Sequence, residues 1–97
     1  MAEQTTQRQI QVEAENQTLK GVYANNVVVA HSKEEFVMDF MLIHPPKGIL
    51  SSRAIVSPGH FKRMVRAMQE NLKKYEDSFG SIEETKGPAT QEFGFKA

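Results

Sequence analysis

The stretch SPGHFKRMVRAMQENLKKYEDSFG, residues 57–80, decides how this chain folds. Ser57 can cap a helix with its hydroxyl, and Pro58 suits the first helical position, where no backbone donor is needed. From there Phe61, Val65, Met68, Leu72, Tyr75 and Phe79 recur at spacings of four, three, four, three and four, with Met64 and Ala67 alongside. That period predicts an amphipathic helix of about 22 residues, roughly 33 Å long. Gly80 is placed to stop it. The stripe is heptad-like, so it can cover a sheet or meet a partner's helix, and its six residues are the expected oligomer interface.

Upstream the period changes from helical to alternating. Gly21 to His31 is rich in β-branched residues, Ser32-Lys33 supplies a turn, and Glu35 to Ile43 forms the second arm of a hairpin. On that arm Phe36, Met38, Phe40 and Leu42 share one face, and Glu35, Val37, Asp39, Met41 and Ile43 share the other. His44-Pro45-Pro46-Lys47-Gly48 reads as a loop, since consecutive prolines cannot sit inside a sheet, and Ile49 to Val56 reads as a further strand. Ile10 and Val12 alternate with polar neighbours between Gln9 and Glu13, as an edge strand would. The expected class is α+β: a three- or four-stranded antiparallel sheet followed by one long C-terminal helix, as a dimer. Residues 1–7 are expected to be a disordered arm, 8–80 a single ββββα domain, and 81–97 a disordered acidic tail.

With 97 residues and no cysteine, the chain has room for one small core and no disulfide to support it. Thiol catalysis and thiolate metal sites are excluded by composition. There is no signal-like apolar run near the start and no stretch long enough to span a membrane, so a cytoplasmic location is expected. One helix covers only one sheet face. The partly apolar second face, with Met41 and Ile43, therefore calls for a second subunit or a ligand.

Candidate chemistry is sparse. His31, His44 and His60 are scattered without an acidic pair at ligand spacing, so neither a metal nor a cofactor is expected. Ser51, Ser52 and Asp39 lack a surrounding catalytic motif and read as ordinary strand residues, with Asp39 on the solvent side. The chain is expected to be no enzyme.

Charge carries more information. Formal net charge is zero, yet residues 44–74 hold seven Lys/Arg against one acid, Glu70. Lys73 and Lys74 have helical ion-pair partners in Glu70 and Asp77. Lys62 and Arg63 have none, and they stand with Arg66 near the positive end of the helix, where acids would be favoured. Lys62, Arg66 and Lys73 fall on one flank, which Lys47 and Arg53 can extend. This is either a solvated helix face or an anion-binding surface for a nucleic-acid backbone. Tyr23 and Asn25 lie on a strand with polar side chains among valines, where a base could stack. Phe93 and Phe95 in the tail are candidates for a docking peptide.

Gly21-x-Tyr23-x-Asn25, His31-Ser32-x-x-Glu35-Phe36-x-x-Asp39-Phe40, Ser52-Arg53, Ser57-Pro58-x-His60 and Asn71-x-x-x-Tyr75-Glu76-x-x-Phe79-Gly80 together resemble an uncharacterised family of small prokaryotic proteins, a domain of unknown function numbered 3467. That resemblance implies no activity. Ser52-Arg53-x-x-x-Ser57 followed by Phe61, Leu72, Tyr75 and Gly80 is similar, over about 30 residues, to the last strand and helix of PUR repeats in the Whirly-like group. The group binds single-stranded nucleic acid on a sheet and dimerises through helices. It implies Tyr23, Asn25 and Arg53 as contacts, although Glu34, Glu35 and Asp39 make the first hairpin acidic. The element order also resembles SecB-type export chaperones, oligomers that hold unfolded chains on apolar surface, and the five methionines suit such adaptable contacts.

Two functions follow as expectations for a homodimer or higher homo-oligomer. The first is nucleic-acid binding with single-strand preference through Lys47, Arg53, Lys62, Arg63, Arg66, Tyr23 and Asn25. The second is a protein-binding or chaperone-like module that holds apolar segments.

Overall fold

The computed structural model of the chain describes residues 9–85 and 94. Its elements are α1 (Asn16–Lys20), β1 (Asn26–His31), β2 (Phe36–His44), β3 (Lys47–Val56) and α2 (Pro58–Phe79). The strands make one antiparallel sheet in the order β1-β2-β3, followed by the long helix. The α+β class therefore holds, with three strands. Gln9 to Glu13 forms no strand, and Ile10 and Val12 are 80% and 84% exposed. Two apolar side chains in five residues offer too little burial to offset the entropy of ordering them. The expected arm and most of the tail, including Phe93 and Phe95, lie outside the described residues, while residues 81–85 form neither helix nor strand.

The helix α2 starts and stops where the sequence places it. The Ser57 hydroxyl accepts the backbone N–H of His60 at 3.3 Å. At the other end Gly80 takes a φ of 96°, a conformation open to glycine, and its N–H bonds the Glu76 carbonyl. The hairpin between β2 and β3 is tighter than the expected five-residue loop, because His44 already pairs with Lys47 and only Pro45 and Pro46, joined by a cis peptide, turn the chain. Neither position of such a turn has to donate to the ladder, so two prolines fit there.

Between Phe40 and Met41 the β2–β3 register slips. Phe40 pairs with Ser52 and Met41 with Leu50, leaving Ser51 as the extra residue of a bulge. Side chains alternate strictly along a strand, so the slip changes which face each later residue of β3 occupies. It sets Leu50 beside Met41 and Ile49 beside Leu42.

The chain before β1 uses this bulge. Asn25 lies one residue beyond the β1 ladder, and its side-chain amide takes over the pairing: Nδ2 donates to the Ile43 carbonyl at 2.9 Å and Oδ1 accepts the Ile43 N–H at 2.8 Å. Two residues earlier, the Tyr23 carbonyl accepts the Ser51 hydroxyl at 3.2 Å. A segment bonded to β2 at one point and to β3 at the next must cross β2. Met41 lies beneath the crossing at 3% exposed, while Leu42 on the opposite face is 38% exposed. The strand expected from Gly21 therefore begins only at Asn26. The short helix α1, which the sequence reading missed, is a single turn without a side-chain cap, ending at Gly21 with a φ of 75°.

The core is small. Met38 and Met41, one on each sheet face of the central strand, are its buried apolar residues among those described. Helix and sheet join where Phe61 stacks on Phe36, ring centroids 4.0 Å apart and planes within 3°. Both rings are only half-buried. We expect Phe61→Ala to lower the unfolding free energy by about 2 kcal/mol, below the range for fully buried Phe truncations because this ring stays half-exposed. Urea denaturation checks this, and Phe61→Leu should lose less than half as much.

Candidate binding surface

The cations expected to form one patch are divided by the fold. Lys62, Arg63 and Arg66 are exposed on the first turns of α2. Lys47 stands at the β2–β3 turn, and eight strand residues at about 3.3 Å each separate that turn from the Phe36 end where α2 docks, roughly 26 Å. Arg53 sits on the sheet face away from Phe61, and its Nε and Nη2 donate to the two carboxylate oxygens of Asp39 at 2.6 and 2.9 Å. Arg63 Nη2 donates to His60 Nδ1 at 2.9 Å. Lys73 pairs with Asp77 at 2.9 Å, as the spacing predicted, whereas the Glu70 pairs are absent among the described residues.

Asp39 is the chief correction to the sequence reading. It is 7% exposed, not a solvent-side carboxylate, and lies in the middle of β2 directly across from Arg53. A carboxylate at that depth requires a partner, and the planar guanidinium fits its two oxygens. The hydrogen bonds from Arg53 hold the Asp39 carboxyl below its ordinary value of 3.8, against the opposing effect of burial and helped by the guanidinium charge. The same pairing raises Arg53 further above its ordinary range. Arg53 is thus a charge already matched, and Asn25, whose amide completes the ladder at Ile43, is similarly engaged. Tyr23 is 73% exposed, on the face that carries Arg53. Sequence reasoning missed the pairing of Asp39 with Arg53, although both residues were in view, because the register that sets them opposite depends on the hairpin turn.

The larger feature is apolar. On the helix side of the sheet α2 covers the Phe36 end and leaves the rest open. Val27, Val29, Leu42 and Ile49 there are between 38% and 66% exposed, around a half-buried Phe40. The ladder places them together: Val27 opposite Phe40, Val29 opposite Met38, Leu42 opposite Ile49. Beside this patch the outer edge of β1 pairs with nothing among the described residues. Six residues of unpaired backbone next to apolar side chains can accept an added extended strand. Along α2 the expected interface residues from Val65 to Phe79 are 39% to 77% exposed, so the sheet of the same chain leaves most of that stripe open.

No cluster of metal-ligating side chains occurs among the described residues, and no helix there is long and apolar enough to cross a membrane. The structure defines a class of small α+β domains, an open three-stranded sheet with one C-terminal helix and its apolar surface largely uncovered. Within that class the chain belongs to the family described as "Protein of unknown function (DUF3467)", whose model matches residues 1–84. No curated protein and no solved structure matches it.

The Asp39 shift has a testable sign. A carboxyl whose folded pKa is depressed stabilises the fold at pH values above its unfolded pKa, and this contribution is lost as pH falls through the folded value. The stability difference between the native chain and Asp39→Asn should be constant from about pH 7 to 5 and shrink as the pH falls from about 4 to 2. Thermal melts of both proteins across that range check it.

Proposed function

We propose that this domain is a non-enzymatic binding module that works as an assembly of copies and holds an extended, apolar polypeptide segment against its sheet. The observation that carries this reading is the uncovered patch of Val27, Val29, Leu42 and Ile49 beside the open edge of β1. Backbone hydrogen bonds to an edge strand supply affinity without sequence selectivity, and apolar neighbours favour segments that alternate in the same way. Met68 on α2, 57% exposed, is a flexible side chain that suits adaptable contacts.

Single-stranded nucleic acid is the second reading. It is supported by the exposed Tyr23 ring on the face of Arg53, and by Lys62 and Arg66 flanking the stacked Phe36 and Phe61. Against it stand the division of the cations and the carboxylate of Asp39 on the face that a base would meet. The protein reading therefore leads.

The test is suppression of light scattering by an aggregating client at about 50 and 200 mM salt. The domain should suppress scattering equally at both, and Leu42→Ser with Ile49→Ser should remove most of the effect while circular dichroism stays unchanged. If the domain protects no client but binds a labelled single-stranded oligonucleotide with an affinity that falls steeply with salt, the second reading replaces the first.

A further inference from the structure

The apolar stripe of α2 is a palindrome in spacing. Reflected about Glu70, Phe61 falls on Phe79, Val65 on Tyr75 and Met68 on Leu72. These are the alternating core positions of a heptad, and in an antiparallel helix pair each layer joins one position of one helix to its mirror position in the other. A second copy of α2, run the opposite way, therefore completes every layer. Phe61, which already stacks on Phe36, would receive Phe79 of the second copy, a ring that is 77% exposed in one chain alone.

The charges select the same arrangement. The positions flanking one side of this stripe, a heptad apart, are Lys62, Gln69 and Glu76. In antiparallel pairing they face their own mirror images, within about 3 Å of level: Lys62 meets Glu76 of the second copy, Gln69 meets Gln69, and Glu76 meets Lys62. The other flank, Met64, Asn71 and Ser78, is uncharged. A parallel pair would instead gather the cations of both copies at one end and the acids of both at the other, and Lys62 would not reach Glu76. A concavity of about 490 Å³ opens at the position this register fills, with Phe36, Phe61 and Val65 as its floor and Lys62, Arg66 and Gln69 along its wall. A ring and a carboxylate from the mirror end of a second helix match an apolar floor with a basic wall.

We propose that α2 pairs antiparallel with α2 of a second copy, in the register that seats Phe79 against Phe61 and joins Lys62 to Glu76 across the interface. This rests on the assembly half of the reading above and is independent of the class of ligand. Lys62, placed where the helix dipole disfavours a cation, gains its role from Glu76 of the second copy.

The full chain has no cysteine, so single spin labels can be placed at Gln69→Cys and Ser78→Cys, both exposed. Light scattering should give twice the 11.0 kDa chain mass. The label at position 69 should report a short distance across the dyad, and the label at 78 should lie about 24 Å further along the helix axis from its mate. Equal distances at the two positions would overturn the antiparallel register and leave the assembly standing. A single-chain mass at tens of micromolar would overturn both. Independently, Lys62→Glu and Glu76→Lys should each weaken association about tenfold, and the double exchange should restore it. The Glu76 carboxylate also accepts the Ile82 N–H at 2.9 Å, a contact the exchange cannot rebuild. Rescue by the double variant would therefore report the interhelical pair, and its failure would count against the register.

Discussion

The stack of Phe61 on Phe36 is the interaction on which the arrangement of this domain depends. It is where a sheet that buries two methionines meets a helix that buries nothing fully. Both rings keep part of their surface in solvent, so the junction fixes the direction of α2 without enclosing it. Beyond the first turns the helix runs with its apolar side open. A chain of this size without cysteine has few internal means of covering that surface, and in the function proposed above it is covered by another copy or a bound segment.

Polar groups in the sheet do the work that core volume cannot. The Asp39–Arg53 pair ties β2 to β3 on the face away from the helix, the Asn25 amide extends the β1–β2 ladder by one pairing, and the bulged Ser51 holds the crossing segment at Tyr23. Removing Arg53 would leave the buried Asp39 carboxylate without its partner, so these contacts specify register as much as they add stability. They also explain why residues that look available for chemistry in the sequence, a strand carboxylate next to serines, are engaged in holding the fold.

The helix and the central strand were legible in the sequence because their signals are local. Ser57-Pro58 and Gly80 mark the ends of α2 through capping chemistry, and the alternation of Phe36, Met38 and Phe40 needs no knowledge of neighbours. What was missed depends on pairing between distant residues. The burial of Asp39 follows from a register set by Pro45-Pro46, the bulge at Ser51 appears only against β2, and Asn25 substitutes for backbone only because Ile43 lies opposite. The basic third of the chain does not stay together for the same reason: adjacency along the sequence became a separation of strand length once the hairpin placed Lys47 at the far turn. The apolar patch was half visible, since the need to cover a second surface was clear but its location on the helix side was not.

Strand β1 combines three consecutive valines with an open edge, and from Gly21 to His31 the chain carries no charged residue. The opposite edge, β3, has Lys47 and Arg53 along it. Charges of that kind are what keep sheet edges from recruiting one another, and β1 has none. The protein is thus poorly defended against its own abundance. An occupant of this edge would also act as its guard, and chain made in excess of that occupant would announce itself first as turbidity.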